Sequence, residues 1–477
     1  MNTKDVFGHR TNLIVKADDN IMIYYIHITS ENCQPLTCVW RNRVPGLAGS
    51  SAEASKLAPH RPQSGTSSSA ALAAICGDTI NLTMDNKNIL ISGAGIAGTT
   101  LAFWLKKFGF NPTIIENSPA LREGGHAIDF MGAGFDVAEK MKIIPALKAV
   151  DINFSKLVFV DSNDKERGSM NYQKIKNFLN GRAFTLFRSD LAKVIYQNID
   201  KDVEIIFGDT ITKIDQNEQE ISVSFKNGTT RNFDLLVGAD GLHSNVRKLV
   251  FGNESQFEKY YGYYTSSFTI DNFSIGNNAF SMYNVPYKQV AVFSKSGNST
   301  TTFFIFASPE KLSYQHYDIE RQKQILKSEF ENCGWKCPKL LSKIDSTTDF
   351  YFDYVSQIKM DNWYKGRVAL VGDAGYCPSL LSGKGSTLAM VGAYILAGEL
   401  KQANGNYKTA FERYEILFKP FMVKKQKSAQ SFAKSFVPKS NFGIWLRNKL
   451  FKLMSSSIFS KLFINQFKDS ELKLKEY

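Results

Sequence analysis

Three glycines at positions 93, 95 and 98 have the spacing that binds the pyrophosphate of a dinucleotide. They follow NILIS, an apolar stretch typical of a buried strand, and they open a stretch with the pattern of a helix. Gly93 permits a tight turn, Gly95 lets the backbone approach a phosphate, and Gly98 lets helix and strand pack closely. The helix N-terminus attracts the phosphate charge. Ala97 lies in the same turn and belongs to the predicted site.

An acidic residue follows at the distance that dinucleotide binding requires. Glu116 lies eighteen residues after Gly98, at the end of the apolar stretch FNPTIIE. Its carboxylate can accept hydrogen bonds from ribose hydroxyls, each contributing roughly 1.5–3 kcal/mol. A glycine turn in any α/β protein is the alternative, but strand, helix and acid together favour a dinucleotide site. The motif does not distinguish FAD from NAD.

Two later stretches place an acid and a glycine directly after an apolar strand. DLLVGADGLHSNVRK contains Asp240 and Gly241, which begin 147 residues after Gly93. RVALVGDAGYCPSLLSGKG contains Asp373, followed by Gly383 and Gly385 before a predicted helix. A carboxylate at the end of a strand is suited to hold a ribityl hydroxyl, although it can also simply terminate the strand.

In this order, the three motifs resemble those of the class A flavin monooxygenases, the para-hydroxybenzoate hydroxylase type, over roughly residues 85–425. LREGGHAIDF, GDAGYCPS and VGAYILAGELKQANGNY are similar to the tetracycline destructases in particular. The resemblance implies an FAD cofactor, NADPH as reductant, and insertion of an atom of molecular oxygen into a polycyclic substrate, with a tetracycline as the best candidate.

The resemblance also assigns roles to individual residues. It implies that Arg188 reaches the cofactor, that Asp129 is a further acid at the flavin, and that Arg122 contacts the reduced nicotinamide. Ordinary surface salt bridges are the alternative for these three. The helix after Gly383 and Gly385 would direct its positive end at the flavin ring. The sequence departs from the wider family by having Tyr376 for His, Lys384 for Gln and Leu380 for Pro.

No other group of residues in the sequence has the pattern of a catalytic site. The histidines are scattered, and neither an HExxH metal motif nor a GxSxG nucleophile motif occurs. We therefore predict no metal site and no catalytic side chain, and assign the chemistry to the cofactor. His126 could touch substrate or be an ordinary structural histidine. A polycyclic substrate would find apolar faces on the aromatic residues of a predicted sheet, namely Phe268, Phe280, Tyr283, Phe293, Phe304 and Phe306.

Composition predicts an α/β protein with two domains and appendages. The chain has 477 residues, 43% of them apolar, which is more than one ordinary domain. We expect a disordered leader at 1–84, a Rossmann-like FAD-binding domain at 85–254 and 351–425, an inserted β-rich substrate domain at 255–350, and C-terminal helices at 426–477. The leader is rich in Ser, Ala, Gly and Pro, and the working protein could begin near Met84.

The C-terminal tail carries most of the net charge of +13. Residues 421–477 hold twelve Lys and Arg against three acids, which leaves the rest nearly balanced and argues against nucleic acid. The tail has apolar residues at helical spacing, so a basic helix packed on its own protein is favoured over one on a membrane surface. The resemblance to the destructases implies that a helix from about Phe442 to Phe467 lies over the substrate entrance as a lid.

Cysteine content and the absence of targeting signals bear on the expected cellular location. Six dispersed cysteines predict free thiols. Without a recognisable signal or a spanning segment, we expect a cytoplasmic monomer that does not insert into a membrane.

Two other functions remain open. The first is a flavin hydroxylase that acts on another aromatic or polyketide compound. The second is a non-catalytic, flavin-binding redox sensor, which would keep the cofactor motifs but show negligible substrate-stimulated NADPH oxidation.

Overall fold

The computed structural model describes residues 84–122, 124–273, 279–295, 298–315, 317–454 and 472–477, and three strands nearer the start of the chain. These are β1 (Arg10–Ala17), β2 (Asn20–His27) and β3 (Cys38–Val39), which pair antiparallel within a separate unit, Met1–Ile80. β1 and β2 contain several of the β-branched and aromatic residues that favour strands. The expected disorder of residues 1–84 stays a prediction. The other leader residues before Met84 lie outside the described residues.

The second unit, Asn81–Tyr477, contains the predicted motifs. Its strands are β4 (Asn88–Ser92), β5 (Asn111–Glu116), β6 (Ala127–Met131), β7 (Lys156–Val160), β8 (Glu166–Asn171), β9 (Ala183–Phe187), β10 (Glu204–Phe207), β11 (Ile211–Gln216), β12 (Ile221–Phe225), β13 (Thr230–Phe233), β14 (Leu235–Gly238), β15 (Glu258–Ile270), β16 (Ala279–Val285), β17 (Lys288–Lys295), β18 (Ser299–Ala307), β19 (Tyr351–Ile358), β20 (Tyr364–Lys365) and β21 (Val368–Leu370). Its α-helices are α1 (Ile96–Lys107), α2 (Ala133–Lys140), α3 (Ile144–Ala149), α4 (Tyr172–Phe178), α5 (Arg188–Gln197), α6 (Asn245–Val250), α7 (Ile319–Phe330), α8 (Cys337–Leu341), α9 (Asp373–Tyr376), α10 (Gly385–Gln402), α11 (Tyr407–Phe436) and α12 (Asn441–Met454).

A six-stranded sheet carries the motifs, in the order β10-β5-β4-β14-β21-β20. All of its pairs are parallel except the edge pair β20–β21. Strands buried on both faces read as continuous apolar runs, as β4 and β14 do. Because parallel strands point the same way, the loops that follow β4, β14 and β21 meet at one edge. The predicted α/β class with a Rossmann-like parallel sheet is confirmed.

A seven-stranded sheet contains the strands of the expected substrate domain, in the order β19-β15-β18-β17-β16-β7-β8. Its pairs are antiparallel except β16–β7. Three strands, β7, β8 and β19, come from outside the expected boundaries of 255–350. The sequence did not reveal that they join this sheet, because β7 and β19 pair with strands that are distant along the chain.

The C-terminal helices pack against the other elements of this unit. α10 is buried along most of its length and packs on α1, as its apolar residues all round the helix require. α11 runs continuously across the expected boundary at residue 425, and α12 contacts β8 and β16. Of the helix expected from Phe442 to Phe467, residues 455–467 lie outside the described residues. In the described part of the chain, no helix is long and apolar enough to cross a membrane.

Candidate functional site

The three motif loops are in direct contact. Gly93 has a φ of +107°, and a side chain there would lie 2.7 Å from the carbonyl oxygen of Ala239, next to Asp240. A side chain at Gly372 would lie 3.0 Å from Cβ of Ala97. The loops after β4, β14 and β21 therefore pack against one another, and glycine is required where they approach most closely.

The first loop has the geometry of a phosphate site. A Cβ at Gly98 would lie 1.9 Å from the carbonyl oxygen of Gly93, which explains why the helix can start so close to its strand. Gly95 caps α1 without a side-chain hydrogen bond, and the nearest atom to a Cβ there is Nη2 of Arg188 at 3.9 Å. The helix N-terminus therefore opens onto free space and a guanidinium, both of which suit a phosphate.

Glu116 is fixed at the end of β5 by two backbone donors. The amides of Ala94 and Ser118 donate to its two carboxylate oxygens over 2.8 and 2.9 Å. These bonds leave further lone pairs on both oxygens for ribose hydroxyls. Arg122 is exposed, and its Nε donates to Oγ of Ser118 at 3.1 Å. Arg122 thus lies at the Glu116 end of the site, and its contact with nicotinamide stays a prediction.

Arg188 lies between the first motif and the substrate sheet. It begins α5, it is exposed, and its amide donates to the carbonyl oxygen of His126 at 3.2 Å. A side chain at Gly125 would contact Cβ of Arg188 at 3.8 Å. Burial, aided by the Arg188 charge, lowers the pKa of His126 to about 4, so its imidazole is neutral at physiological pH.

Asp129 lies on β6 and is held by β9 and α4. Its carboxylate accepts hydrogen bonds from the hydroxyls of Tyr172 and Thr185, the latter at 3.0 Å. Burial raises the pKa of Asp129, and these hydrogen bonds and the Lys176 charge oppose the rise. Lys176 is itself paired with Asp151 at 2.7 Å. The network fixes Asp129 in place, and its role as a flavin-site acid stays a prediction.

Asp240 acts as a local cap. Its carboxylate accepts from Oγ of Ser244 at 2.5 Å and from the amide of Val246 at 3.0 Å, which orders the start of α6. Gly241 has a φ of +82°, and a side chain there would meet no atom within 4 Å. The open space beside Gly241 leaves room for a ligand next to the first motif.

The third motif places a carboxylate at the start of α10. Asp373 follows β21, and burial raises its pKa, an effect that the Arg188 charge opposes. A Cβ at Gly385, the first residue of α10, would lie 3.7 Å from Oδ1 of Asp373. Gly383 adopts the left-handed conformation, and a side chain there would meet no atom within 4 Å, so this backbone also faces open space.

These features fit FAD. Open space lies beside Gly95, Gly241 and Gly383. Glu116 ends β5 and Asp373 follows β21, and these two strands lie on either side of β4 and β14 in the sheet. α1 and α10 have no acidic residue in the first turn. Their N-termini can therefore face the pyrophosphate and the flavin ring respectively. Within the described residues, no group of three or more metal-ligating side chains occurs.

The comparisons with known proteins agree with this geometry. The model of the FAD binding domain family matches residues 86–410. The chain belongs to this family. A flavin-dependent monooxygenase of Legionella longbeachae is 37% identical over 356 residues, covering 74% of this chain and 90% of the relative. The chain is therefore a flavin-dependent monooxygenase with FAD as its cofactor.

Solved structures show the same architecture. The crystal structure of tetracycline destructase Tet(55) matches with a TM-score of 0.71 and 35% identity, covering 82% of this chain and 99% of that one. Klebsiella pneumoniae HpxO, solved with FAD and uric acid, matches with a TM-score of 0.65 and 20% identity, which shows a common fold. The resemblance to class A monooxygenases and tetracycline destructases is confirmed.

Four of the six aromatic residues expected to face substrate do not. Phe268, Phe304 and Phe306 are fully buried and pack with Tyr283 on the side of the sheet that is covered by α7 and α8. The prediction was wrong for these four because successive residues of a strand point to opposite faces. Phe293 and Phe280 lie on the other face, where they stack at 5.0 Å and Phe293 meets Phe187 of the FAD-binding domain.

Sequence reasoning missed a buried arginine that joins two motif loops. Arg247 is fully buried, and it donates to the carbonyl oxygens of Ala374 at 2.8 Å and Leu242 at 2.6 Å. It also pairs with Glu254 at 2.6 Å. In the monooxygenase, Arg247 thus fixes the second motif against the third. The only local signal is its position in α6, directly after Asp240-Gly241.

A buried glutamine on α11 holds the loop before Gly383. Nε2 of Gln426 donates to the carbonyl oxygens of Ile358, Tyr376 and Cys377 at 2.7–3.2 Å. Tyr376 points away from these carbonyl groups into the core, where its hydroxyl meets that of Tyr414 at 3.0 Å. The Tyr376 departure from the family pattern therefore changes core packing. No local pattern identifies Gln426, because its partners lie about fifty residues or more away in sequence.

Proposed function

We propose that the monooxygenase oxidises a polycyclic small molecule, most specifically a tetracycline, with NADPH as the reductant. The observation that carries the proposal is the match to tetracycline destructase Tet(55) over 99% of that chain at 35% identity. FAD, when bound and reduced, supplies the activation of molecular oxygen, and the protein supplies binding, orientation and electrostatics.

The motif residues hold the cofactor in this proposal. Glu116 binds the ribose hydroxyls, the N-terminus of α1 faces the pyrophosphate, and Arg188 reaches over it. Asp373 accepts a hydrogen bond from the ribityl chain, and the α10 N-terminus favours negative charge on the reduced ring. Arg122 and Asp129 keep their proposed roles at the nicotinamide and flavin.

The substrate lies against the face of the seven-stranded sheet that is turned towards His126. Phe303 of this face lies 5.8 Å from the His126 ring, and Tyr351 lies 6.4 Å from it, measured between ring centroids. Ser267 pairs with both Phe303 and Tyr351 on the neighbouring strands, so the three form one row across the sheet. This row offers a broad surface with two aromatic rings and two hydroxyls, which suits a fused-ring compound that carries oxygen substituents.

Neutral His126 is suited to contact such a substrate without adding charge. Its lowered pKa keeps one ring nitrogen available as a hydrogen-bond acceptor above about pH 4. The neutral imidazole can therefore accept a hydrogen bond from, or donate one to, a substrate hydroxyl at physiological pH.

The test is turnover of tetracycline by the purified, FAD-loaded protein. We expect tetracycline to accelerate NADPH oxidation, to consume oxygen, and to yield a product heavier by one oxygen atom or a rearranged derivative of it, followed by mass spectrometry and by the chromophore absorbance. Unchanged tetracycline with active enzyme would contradict the substrate. Turnover of other polycyclic phenols would then favour a different flavin hydroxylase, and no stimulation by any of them would favour a redox sensor.

A further inference from the structure

Arg447 is a partly buried cation without an anionic partner in the part of the chain that the structure describes. It lies on α12, and its Nη2 donates to Oδ1 of Asn284 at 2.6 Å. Its guanidinium lies over the ring of Phe159 at 4.4 Å, and its Nε is buried without a hydrogen-bond partner. Burial alone lowers the pKa of Arg447 to about 10, with no carboxylate opposing the shift. A partly desolvated charge in this state is less favourable than one that is paired with an anion.

A second set of unused donors lies beside it. Gln289 is 1% exposed, and its Oε1 accepts from Nδ2 of Asn284 at 3.0 Å. Nε2 of Gln289 is buried and has no partner among the described residues. Gln289, Asn284 and Arg447 therefore form a chain of hydrogen bonds that has unused N–H donors at both ends. Unpaired buried donors are rare in folded proteins and call for an explanation such as a ligand.

The strand register places these donors on the substrate face. Asn284 pairs with Gln289, and Gln289 pairs with Ile305. Ile305 and Phe303 are two residues apart on β18 and point to the same side. Phe303 is the residue that meets His126. The donors thus lie on the His126 side of the sheet, and β16 is two strands from β18, roughly 10 Å away.

We propose that Arg447 and Gln289 bind an anionic oxygen at the far end of an elongated polycyclic substrate. The oxygen is an enolate, phenolate or carboxylate, and it accepts from Nε of Arg447 and from Nε2 of Gln289. The distance from the His126 row favours a fused polycyclic compound over a single aromatic ring, because one ring cannot span two strand spacings. The substrate class rests on the function proposed above, whereas the anion site itself does not.

The test measures binding of two probes that differ in one charge, anthraquinone-2-carboxylate and its methyl ester, to the FAD-loaded protein by flavin fluorescence. We expect the acid to bind at least about tenfold more tightly than the ester, the value of one charge-assisted hydrogen bond. The preference should fall to about twofold or less in Arg447→Gln. Arg447→Lys should keep part of the preference for the acid. Gln289→Leu should weaken the binding of both probes, because both carry a carbonyl oxygen at this end.

The matched control is Lys449→Gln, which removes an exposed charge from the same helix and should keep the full preference. Melting temperature and FAD content show that each variant is folded. Equal affinity for acid and ester, failure of the acid to bind, or an unchanged preference in Arg447→Gln would overturn the inference. Turnover of tetracycline is measured in parallel. If tetracycline is not a substrate but the Arg447-dependent preference is present, the proposed function fails and the anion site stands.

Discussion

At the scale of single residues, Asp373 shows how the fold prepares a carboxylate for a ligand. Burial raises its pKa, and the Arg188 charge and a hydrogen bond with Cys377 oppose that effect, so a further donor would favour the ionised carboxylate. A ribityl hydroxyl supplies such a donor. A Cβ at Gly385 would lie 3.7 Å from Oδ1 of Asp373, and the glycine leaves this space free for the ribityl hydroxyl.

We therefore predict that Asp373→Ala weakens FAD binding by roughly 10–100-fold, the value of one charge-assisted hydrogen bond. The measurement is the ratio of flavin to protein absorbance after gel filtration, with FAD titration for the affinity. Asp361→Ala, which removes an exposed carboxylate, serves as the control. Full flavin content in folded Asp373→Ala would show that the carboxylate does not hold the cofactor.

A second residue-scale prediction concerns His243, whose ring nitrogens lie 2.9 Å from Glu254 and 3.1 Å from Asp353. Desolvation lowers its pKa, but the hydrogen bonds and charges of Asp353 and Glu254 outweigh it and raise the pKa to about 10. Because the folded value exceeds the unfolded one of about 6.5, the stabilisation is fully present below pH 6.5 and is lost as the pH rises through 10.

The free energy of unfolding should thus fall more steeply between pH 6.5 and 10 in the wild type than in His243→Gln. Urea denaturation at several pH values measures this slope. Parallel slopes for the two proteins would mean that His243 does not hold its proton in the folded state.

The cofactor motifs could be read from sequence because each role depends on residues that are close together in the chain. Gly93, Gly98 and Glu116 form such a local unit, and the loops they predicted are in contact. Arg247 and Gln426 could not be found in this way, because their partners are loops that only the tertiary fold brings near. The roles of Arg122, Asp129 and Arg188 came from family resemblance and remain predictions.

At the scale of elements, the β4–α1 junction separates two uses of glycine. A Cβ at Gly98 would overlap the carbonyl oxygen of Gly93 at 1.9 Å, whereas a Cβ at Gly95 would meet nothing closer than 3.9 Å. Gly98 is thus needed for packing between helix and strand. Gly95 leaves the space above the helix N-terminus free for a phosphate.

We predict that Gly98→Ala destabilises the protein by about 1–3 kcal/mol, as overpacking does, with or without FAD. Gly95→Ala should leave the melting temperature of the FAD-free protein unchanged but weaken FAD binding. Thermal unfolding of both variants, with and without added FAD, separates the two effects. Equal destabilisation of the FAD-free proteins would contradict this division of roles.

The substrate sheet shows the limit of pattern reading for elements. The aromatic residues of β15–β18 predicted a sheet correctly, but the choice of face for Phe304 and Phe306 was wrong. Both faces of these strands carry aromatic residues, since one packs on α7 and the other faces the FAD-binding domain. With apolar residues on both faces, alternation does not tell which one meets a ligand.

At the scale of the whole molecule, the last residues of the chain return to the FAD-binding domain. Tyr477 and Lys475 both donate to Oε1 of Glu399 at 2.8 Å, and the carbonyl oxygen of Lys475 accepts from the hydroxyl of Tyr394. Glu399 is fully buried on α10, the helix whose N-terminus lies in the predicted flavin site. The chain end therefore supplies both donors to Oε1 of this buried carboxylate, while Oε2 has no hydrogen-bond partner among the described residues. The expected lid, α12, is joined to this end through residues outside the described ones.

This connection allows the lid proposal to be tested separately from stability. Deleting residues 472–477 should lower the free energy of unfolding by about 2 kcal/mol or more, because the buried Glu399 carboxylate loses two donors. Tetracycline affinity should change little in that variant.

Truncation after residue 440 also removes α12 and Arg447, and should weaken tetracycline binding more than FAD binding. Glu399→Gln should restore part of the stability of both truncated proteins, since an amide is less costly to bury unpaired than a carboxylate. If the short and the long truncation weaken tetracycline binding equally, α12 is not a lid, and binding to anionic vesicles that depends on α12 would favour a membrane-surface role instead.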